Sequence, residues 1–221
     1  MSTIQADFDL IAKFPEDEWN HNSHYHDWLL RHVPSPCRQT LEIGCGTGSF
    51  SRLLATRSER VLALDLSPNM IRIAEEQSAL HPNIEFRVGD VMEQPVQAEQ
   101  FDCIAAIATL HHLPLKIALL KLKSALKVNG VLLILDLIQE EGVLDTLRSA
   151  IALPASIGLK LAKGVRLIDP PEVRAAWSKH ALNDSYLTMD QVHDLFGHLL
   201  PDAQIRRHLF WRYSVVWRKP A

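Results

Sequence analysis

The chain has little excess charge of either sign: 23 Lys and Arg against 26 Asp and Glu leave a formal net charge of -3 over 221 residues. A protein that holds nucleic acid through its phosphates needs a strong basic field, and none is present. The one basic concentration, Arg206, Arg207, Arg212, Arg218 and Lys219, reads as the solvated flanks of terminal strands. Cysteine is scarce as well. Cys37, Cys45 and Cys103 are scattered, without a CxxC pair or an even-numbered framework, which excludes a disulfide scaffold and points to free thiols in a reducing, cytoplasmic compartment. No apolar run approaches the roughly 20 residues that span a bilayer, and the start MSTIQADFDL lacks the basic and apolar regions of a signal peptide. No repeat, low-complexity tract or Gly/Ser-rich linker divides the chain, so residues 1–221 read as one domain.

What is present is a globular composition, 47% apolar and 22% charged. From Thr40 onward short β-rich apolar runs alternate with amphipathic segments, the pattern of a parallel sheet covered by helices on both faces. Strands are expected at 40–43, 61–65, 84–88, 101–107 and 131–137, with a last pair at 204–210 and 212–218. Ser67-Pro68 supplies a capping hydroxyl and a proline at the first helical position, and Asn129-Gly130 reads as the stop of the helix that feeds the fifth strand. Thr188 with Gln191 reads as a capping box for a helix closed by Pro201. Residues 1–36 are expected to form a helical cap. Residues 138–186 are too long for a bare connection and are expected to form a helical lid, one helix over 143–153, a break or kink at Pro154, and a second over 155–163.

The segment Leu41-Glu42-Ile43-Gly44-Cys45-Gly46-Thr47-Gly48 places a glycine-rich turn between a strand and a helix. Glycine allows positive φ and lets a ligand approach the backbone. The dinucleotide fingerprint wants a glycine at its sixth place, where this chain has Ser49, so a nicotinamide cofactor is disfavoured. Asp65 ends the next apolar strand about twenty residues on, where a carboxylate can accept both hydroxyls of a ribose. Gly89-Asp90-Val91 follows the third strand.

This ExGxGxG turn, with Asp65, Asp90 and the run Phe101 to Leu113, resembles the class I S-adenosylmethionine (SAM)-dependent methyltransferases over roughly residues 40–137, as in their small-molecule domains of the 11 and 25 types. The resemblance implies a Rossmann-like, doubly wound α/β fold whose seven strands run 3-2-1-4-5-7-6 with the last pair antiparallel. It implies SAM as cofactor and S-adenosylhomocysteine as product. Glu42, Gly44, Cys45, Gly46 and Gly48 would hold the methionine and ribose portions, Asp65 the ribose, Leu66 and Met70 the adenine faces, Asp90 and Val91 the adenine edge, and Ile107 the methionine end. The family's amino-methylating nucleic-acid and glutamine enzymes carry an Asn-Pro-Pro-Tyr run, which has no counterpart near Ile107.

Methyl transfer from a sulfonium is an in-line displacement, so the protein must hold a nucleophile, exclude water and, for an acidic nucleophile, take a proton. Histidine suits that task at neutral pH. His111 follows the fourth strand, where the resemblance places the transferred methyl, and His21 and Tyr25 lie in an N-terminal stretch expected to cover the cofactor. That His-rich stretch has no carboxylate or cysteine at ligand spacing, so no metal is expected there or elsewhere. Trp177, His180, Trp211 and Tyr213 are further candidates for the pocket wall, with core packing the competing role. If the helix over 143–153 faces the site, its Leu and Ile residues imply a partly apolar small-molecule acceptor, a dimer contact being the rival; the chain is then a monomer or homodimer. Three other functions compete with methylation of O, N or C: a SAM-binding regulator that transfers nothing, an enzyme using SAM for another transfer or cyclisation, and a nicotinamide oxidoreductase.

Overall fold

A computed structural model describes residues 3–221 apart from Glu16, Glu18 and Asn183. Its sheet is built from β1 (Gln39–Ile43), β2 (Arg60–Asp65), β3 (Ile84–Val88), β4 (Phe101–Ile107), β5 (Leu126–Leu137), β6 (Gln204–Arg207) and β7 (Arg212–Arg218). The order is β3-β2-β1-β4-β5-β7-β6, with β1 to β5 parallel and β7 antiparallel to both β5 and β6. The physical cause is period two applied to apolar strands. On β4 and β5, Ile104, Ala106, Leu132 and Ile134 enter one core with Leu119, Leu122, Val192 and Phe196, while Cys103, Ala105, Val131, Leu133 and Leu135 enter the other with Leu29, Phe50 and Leu54.

Helices cover both faces. The first core is closed by α5 (Leu115–Ala125) and α8 (Met189–Leu199), the second by α2 (His26–Leu30) and α3 (Ser49–Ala55). The cap is α1 (Thr3–Ile11), a 3-10 turn at Ser23–Tyr25, and α2. Helix α4 (Pro68–Gln77) starts as expected, with Ser67 accepting from the Met70 N–H, and α8 has the full Thr188–Gln191 capping box. Residues 138–186, expected to form a lid, contain α6 (Gly142–Ala162) and α7 (Pro171–Ala181).

Four expectations need correction. Helix α5 ends at Ala125, because Leu126 already pairs with Phe101; Asn129 at φ 64 belongs to an irregularity in β5 that lets Lys127 reach Asp102 at 2.9 Å. Pro154 does not divide α6, which is one helix; Ala152 and Ser156, buried on either side of the proline, hold both halves to the protein. The apolar residues of α6 do not face the site. Its inward positions are the small or polar Asp145, Ala152 and Ser156, while Val143, Leu144, Leu147, Ile151 and Leu153 are exposed. Strand β6 stops at Arg207, short of 210.

One buried acid sets a signed pH dependence. Glu42 on β1 is buried, and loss of hydration raises its carboxyl from 4.5 to about 8, although the Ser51 hydroxyl donates to it. It is therefore protonated in the folded chain at neutral pH and ionised in the unfolded one. The stability it contributes is complete below its unfolded pKa and is lost as pH rises towards 8. Urea titrations from about pH 5 to pH 8 are expected to give a decline that Glu42→Gln flattens, by a few kcal/mol as an order of magnitude. Parallel curves for the two proteins would refute the assignment.

Candidate active site

The site lies at the carboxyl ends of β1 to β5, where the strand order reverses between β1 and β4, the place where open α/β sheets bind ligands. Gly44, Gly46 and Gly48 all have positive φ, at 66, 53 and 77°. A Cβ on Gly44 would stand 2.1 Å from Thr109 Oγ1, so the turn after β1 touches the connection after β4. A Cβ on Gly46 would meet nothing within 4 Å: its backbone borders open space. The turn is fixed from outside the motif, with the Cys45 N–H donating to Leu64 O at 3.0 Å and the Gly46 N–H to Asp65 Oδ2 at 2.8 Å.

Asp65 ends β2 and is 9% exposed; its other oxygen, Oδ1, accepts from the Ser67 N–H at 2.9 Å. Burial raises its pKa, against the effect of those two N–H donors. Helix α1 comes close here. Asp9 accepts from the Ser67 hydroxyl at 2.6 Å, and the charge of Asp9 raises Asp65 further. Asp90 follows β3, its Oδ1 accepting from the Met92 N–H at 2.7 Å, beside buried Val91. Leu66 is half-buried, whereas Met70 is buried with Ile11, Ala12 and Ala176. Ile107 ends β4 and its carbonyl accepts from Thr109 at 2.9 Å. The glycine turn, Asp65, Leu66, Asp90, Val91 and Ile107 are thus assembled on neighbouring strand ends.

Beyond Thr109 a 3-10 turn, Leu110–His112, delivers His111 to Asp136 near the end of β5. Asp136 is 1% exposed and accepts from His111 Nδ1 at 2.6 Å, from the His111 N–H at 3.1 Å and from the Leu137 N–H at 2.8 Å. The short contact makes Nδ1 the protonated nitrogen and leaves Nε2 as the basic one. Tyr186 lies across the His111 ring at 5.1 Å and donates its hydroxyl to Asp184 at 2.8 Å; burial and Asp184 push the phenol up.

His21 and Tyr25 lie on the other side of Arg212. His21 Nε2 meets Ser156 Oγ at 2.8 Å and its ring stacks on Phe210; burial, then the Arg212 charge, lowers its pKa to about 4. The Tyr25 hydroxyl accepts from the Phe210 N–H at 3.1 Å, and burial raises its pKa. Arg212 donates to Asn22 Oδ1 at 2.7 Å, and burial lowers its pKa against the opposing charge of Asp136. It is a partly buried link between cap and sheet rather than a solvated flank.

Arg212, Asp136, Asp184 and Tyr186 were missed from sequence. Only Asp136 left a usable signal there, as a lone carboxylate in the apolar run 131–137. The residues present fit SAM: Gly46 borders space a cofactor can fill, and a buried carboxylate stands beside it. Among the described residues, no helix is long and apolar enough to cross a membrane.

Comparison with known proteins agrees with this geometry. A methyltransferase-domain family model matches residues 41–134. The chain is 29% identical over 210 residues to an uncharacterized methyltransferase of Mycobacterium tuberculosis, covering 93% of this chain and 99% of that one. It is 35% identical over 99 residues, 44% of this chain and 38% of the relative, to a malonyl-[acyl-carrier protein] O-methyltransferase of Serratia marcescens. The structure of the N-methyltransferase NodS from Bradyrhizobium japonicum, in complex with S-adenosylhomocysteine, superposes with a TM-score of 0.66 over all of both chains at 17% identity. The turn of glycines after β1, the carboxylate ending β2 and the strand order agree with these matches: the chain is similar to methyltransferases along its length, and residues 41–134 match their methyltransferase domain.

Proposed function

We propose that this enzyme methylates a small molecule at O or N, with carbon the less supported acceptor, and that residues 1–221 act as one domain, with 1–36 as cap and 138–186 as lid. The observation that carries the reading is the His111–Asp136 pair: a buried imidazole with its basic nitrogen free, two residues beyond the Thr109 that touches Gly44. SAM supplies an electrophilic methyl on a sulfonium whose departure takes the S–CH3 electron pair to sulfur. Everything else falls to the chain. Asp65 and the glycine turn orient the cofactor, Asp90 and Val91 hold the adenine edge, and Leu66 flanks the ring, while Met70 packs with Ile11, Ala12 and Ala176. His111 Nε2 takes the acceptor's proton, and Asp136 fixes the tautomer that permits it. His21 and Tyr25 form the far wall, across Arg212.

Enclosure supports a small acceptor. The His111 and Asp184 side chains are 7% and 5% exposed beneath the lid, too sheltered for a folded macromolecule to reach. The three buried free cysteines support a reducing, cytoplasmic setting.

Titration with SAM by calorimetry is expected to give binding that Asp65→Ala weakens about 10- to 100-fold, the loss of hydrogen bonds to a charged group. Unchanged affinity would remove Asp65 from the site. With labelled SAM and a panel of phenols, alcohols, carboxylates and amines, label is expected in one small product. His111→Gln is then expected to lower kcat by about 10²- to 10⁴-fold while leaving SAM affinity within error. Label found only on protein or nucleic acid, or release of methylthioadenosine, would defeat the acceptor reading.

A further inference from the structure

We propose that the protein binds one divalent transition-metal ion of the zinc type at His111, His112, His180 and Asp184, where the lid meets the connection after β4. Three imidazoles converge on one carboxylate. His112 Nδ1 lies 3.4 Å from Asp184 Oδ1, and His180 Nε2 and His111 Nε2 lie 3.7 and 4.0 Å from Asp184 Oδ2. These separations exceed the roughly 2.7–3.2 Å of a hydrogen bond. They approach the spacing of tetrahedral ligands, which stand about 3.3 Å apart when each is about 2.0–2.1 Å from the metal. The ligand atoms of His111, His112 and Asp184 already lie within 4.8 Å of one another, and His180, outside that group but 3.7 Å from Asp184, would complete the set by a small inward movement.

Burial makes the cluster more than a surface accident. The side chains of His111, His112, His180 and Asp184 are 7, 8, 6 and 5% exposed. His112 turns Nδ1 to Asp184, and its Nε2 is buried without a hydrogen-bond partner among the described residues.

The surroundings supply what metal-binding histidines need behind them. A carboxylate on the second ring nitrogen fixes orientation and raises basicity. His111 has Asp136 hydrogen-bonded at 2.6 Å on Nδ1, while Asp7, held by Lys179 at 2.9 Å, faces His180 Nδ1 at 3.8 Å, beyond a direct hydrogen bond. Tyr186 donates to Asp184 Oδ2, the oxygen that His111 and His180 face, and Oδ1 faces His112. Imidazole with a carboxylate selects zinc, cobalt, nickel or ferrous iron over magnesium and calcium. Sequence spacing predicts no metal because the ligands come from three places, 111–112, 180 and 184, rather than from one motif.

The ion would tie α7 and the segment after it to the connection after β4, holding the lid over the methyl end. The site itself does not rest on the methyl-transfer reading: four protein ligands leave the ion no open position, and while bound it would hold His111 Nε2 away from the acceptor whose proton that nitrogen takes.

The full chain, stripped with a chelator, is titrated with Zn²⁺ by calorimetry and separately with Co²⁺, whose visible bands report tetrahedral coordination. We expect one ion per chain, tetrahedral cobalt bands and a rise in Tm with Zn²⁺. Asp7→Asn is expected to weaken Zn²⁺ binding about 10- to 100-fold, and His180→Ala and Asp184→Asn by more, while exposed His198→Ala changes nothing. SAM binding by each variant verifies folding. A wild type that binds SAM but takes up no stoichiometric metal overturns the proposal, as does uptake indifferent to His180→Ala and Asp184→Asn. Metal uptake without SAM binding would sink the methyltransferase reading and leave the metal site standing.

Discussion

The contact between Gly44 and Thr109 is the constraint on which both halves of the site depend. No side chain larger than hydrogen fits at Gly44, because its Cβ would overlap Thr109 Oγ1 at 2.1 Å. The turn after β1 carries the cofactor-facing backbone, and the connection after β4 carries His111. Under the proposed function their contact sets the distance between the residues that would hold the methyl donor and the one that would face the acceptor, and methyl transfer is sensitive to that distance. Strand pairing extends the constraint, since β1 and β4 are neighbours and the Ala108 N–H donates to Leu135 O on β5 at 2.7 Å. Asp136, the residue after Leu135, then captures His111.

Charge is buried unevenly around this frame. On the cofactor side, Glu42 and Asp65 are acids whose pKa burial raises, and backbone N–H groups or a hydroxyl answer them in place of cations. On the acceptor side Arg212 is the one guanidinium felt by Asp136, Tyr186, Tyr25 and His21 together. Arg212 also reaches Asn22, so the electrostatics of the acceptor side and the closure of the N-terminal cap are one problem. Removing hydration from this group is tolerable only because carbonyls of Phe210 and Trp211, the Asn22 amide and the Asp136 charge replace it.

Legibility followed sequence separation. The five parallel strands, the glycine turn, the Ser67 and Thr188 caps and the carboxylates at the ends of β2 and β3 were readable, because each is signalled within a few residues by period two, by a turn or by a capping pair. Asn129-Gly130 misled because the same dipeptide serves a helix stop and a strand irregularity, and only the pairing of Leu126 with Phe101 decides between them. Arg212 misled because strand-end arginines are usually solvated. Asp184 and Tyr186 gave no local signal: their partners His111, His112 and His180 arrive from another strand connection and another helix.

The lid is where local chemistry and tertiary demand part most clearly. An amphipathic helix is expected to turn its apolar face inward, and α6 over 143–156 does largely the opposite, setting Asp145, Ala152 and Ser156 against the protein and Val143, Leu144, Leu147, Ile151 and Leu153 outside. Beside a short apolar contact of Ala152, Ala155 and Leu159 with the second core, what holds it is polar and specific. Asp145 pairs with Arg207 at 2.7 Å, Ser149 accepts from the Trp211 indole at 2.7 Å, and Ser156 meets His21 at 2.8 Å. These are contacts to the loop between β6 and β7, to the strand before it and to the cap. The inner face of the lid is thus shaped to dock on the variable, acceptor-side elements, and it makes none of these contacts with the strand ends that hold the cofactor. Its apolar seam is short, Ala152, Ala155 and Leu159 against the core that holds Leu133, Leu135 and Phe210, so the three hydrogen-bonded points carry much of its attachment. The division of labour follows from the physics: the sheet is held by a continuous apolar core on each face, and the helix over it by a few polar points and a short apolar contact.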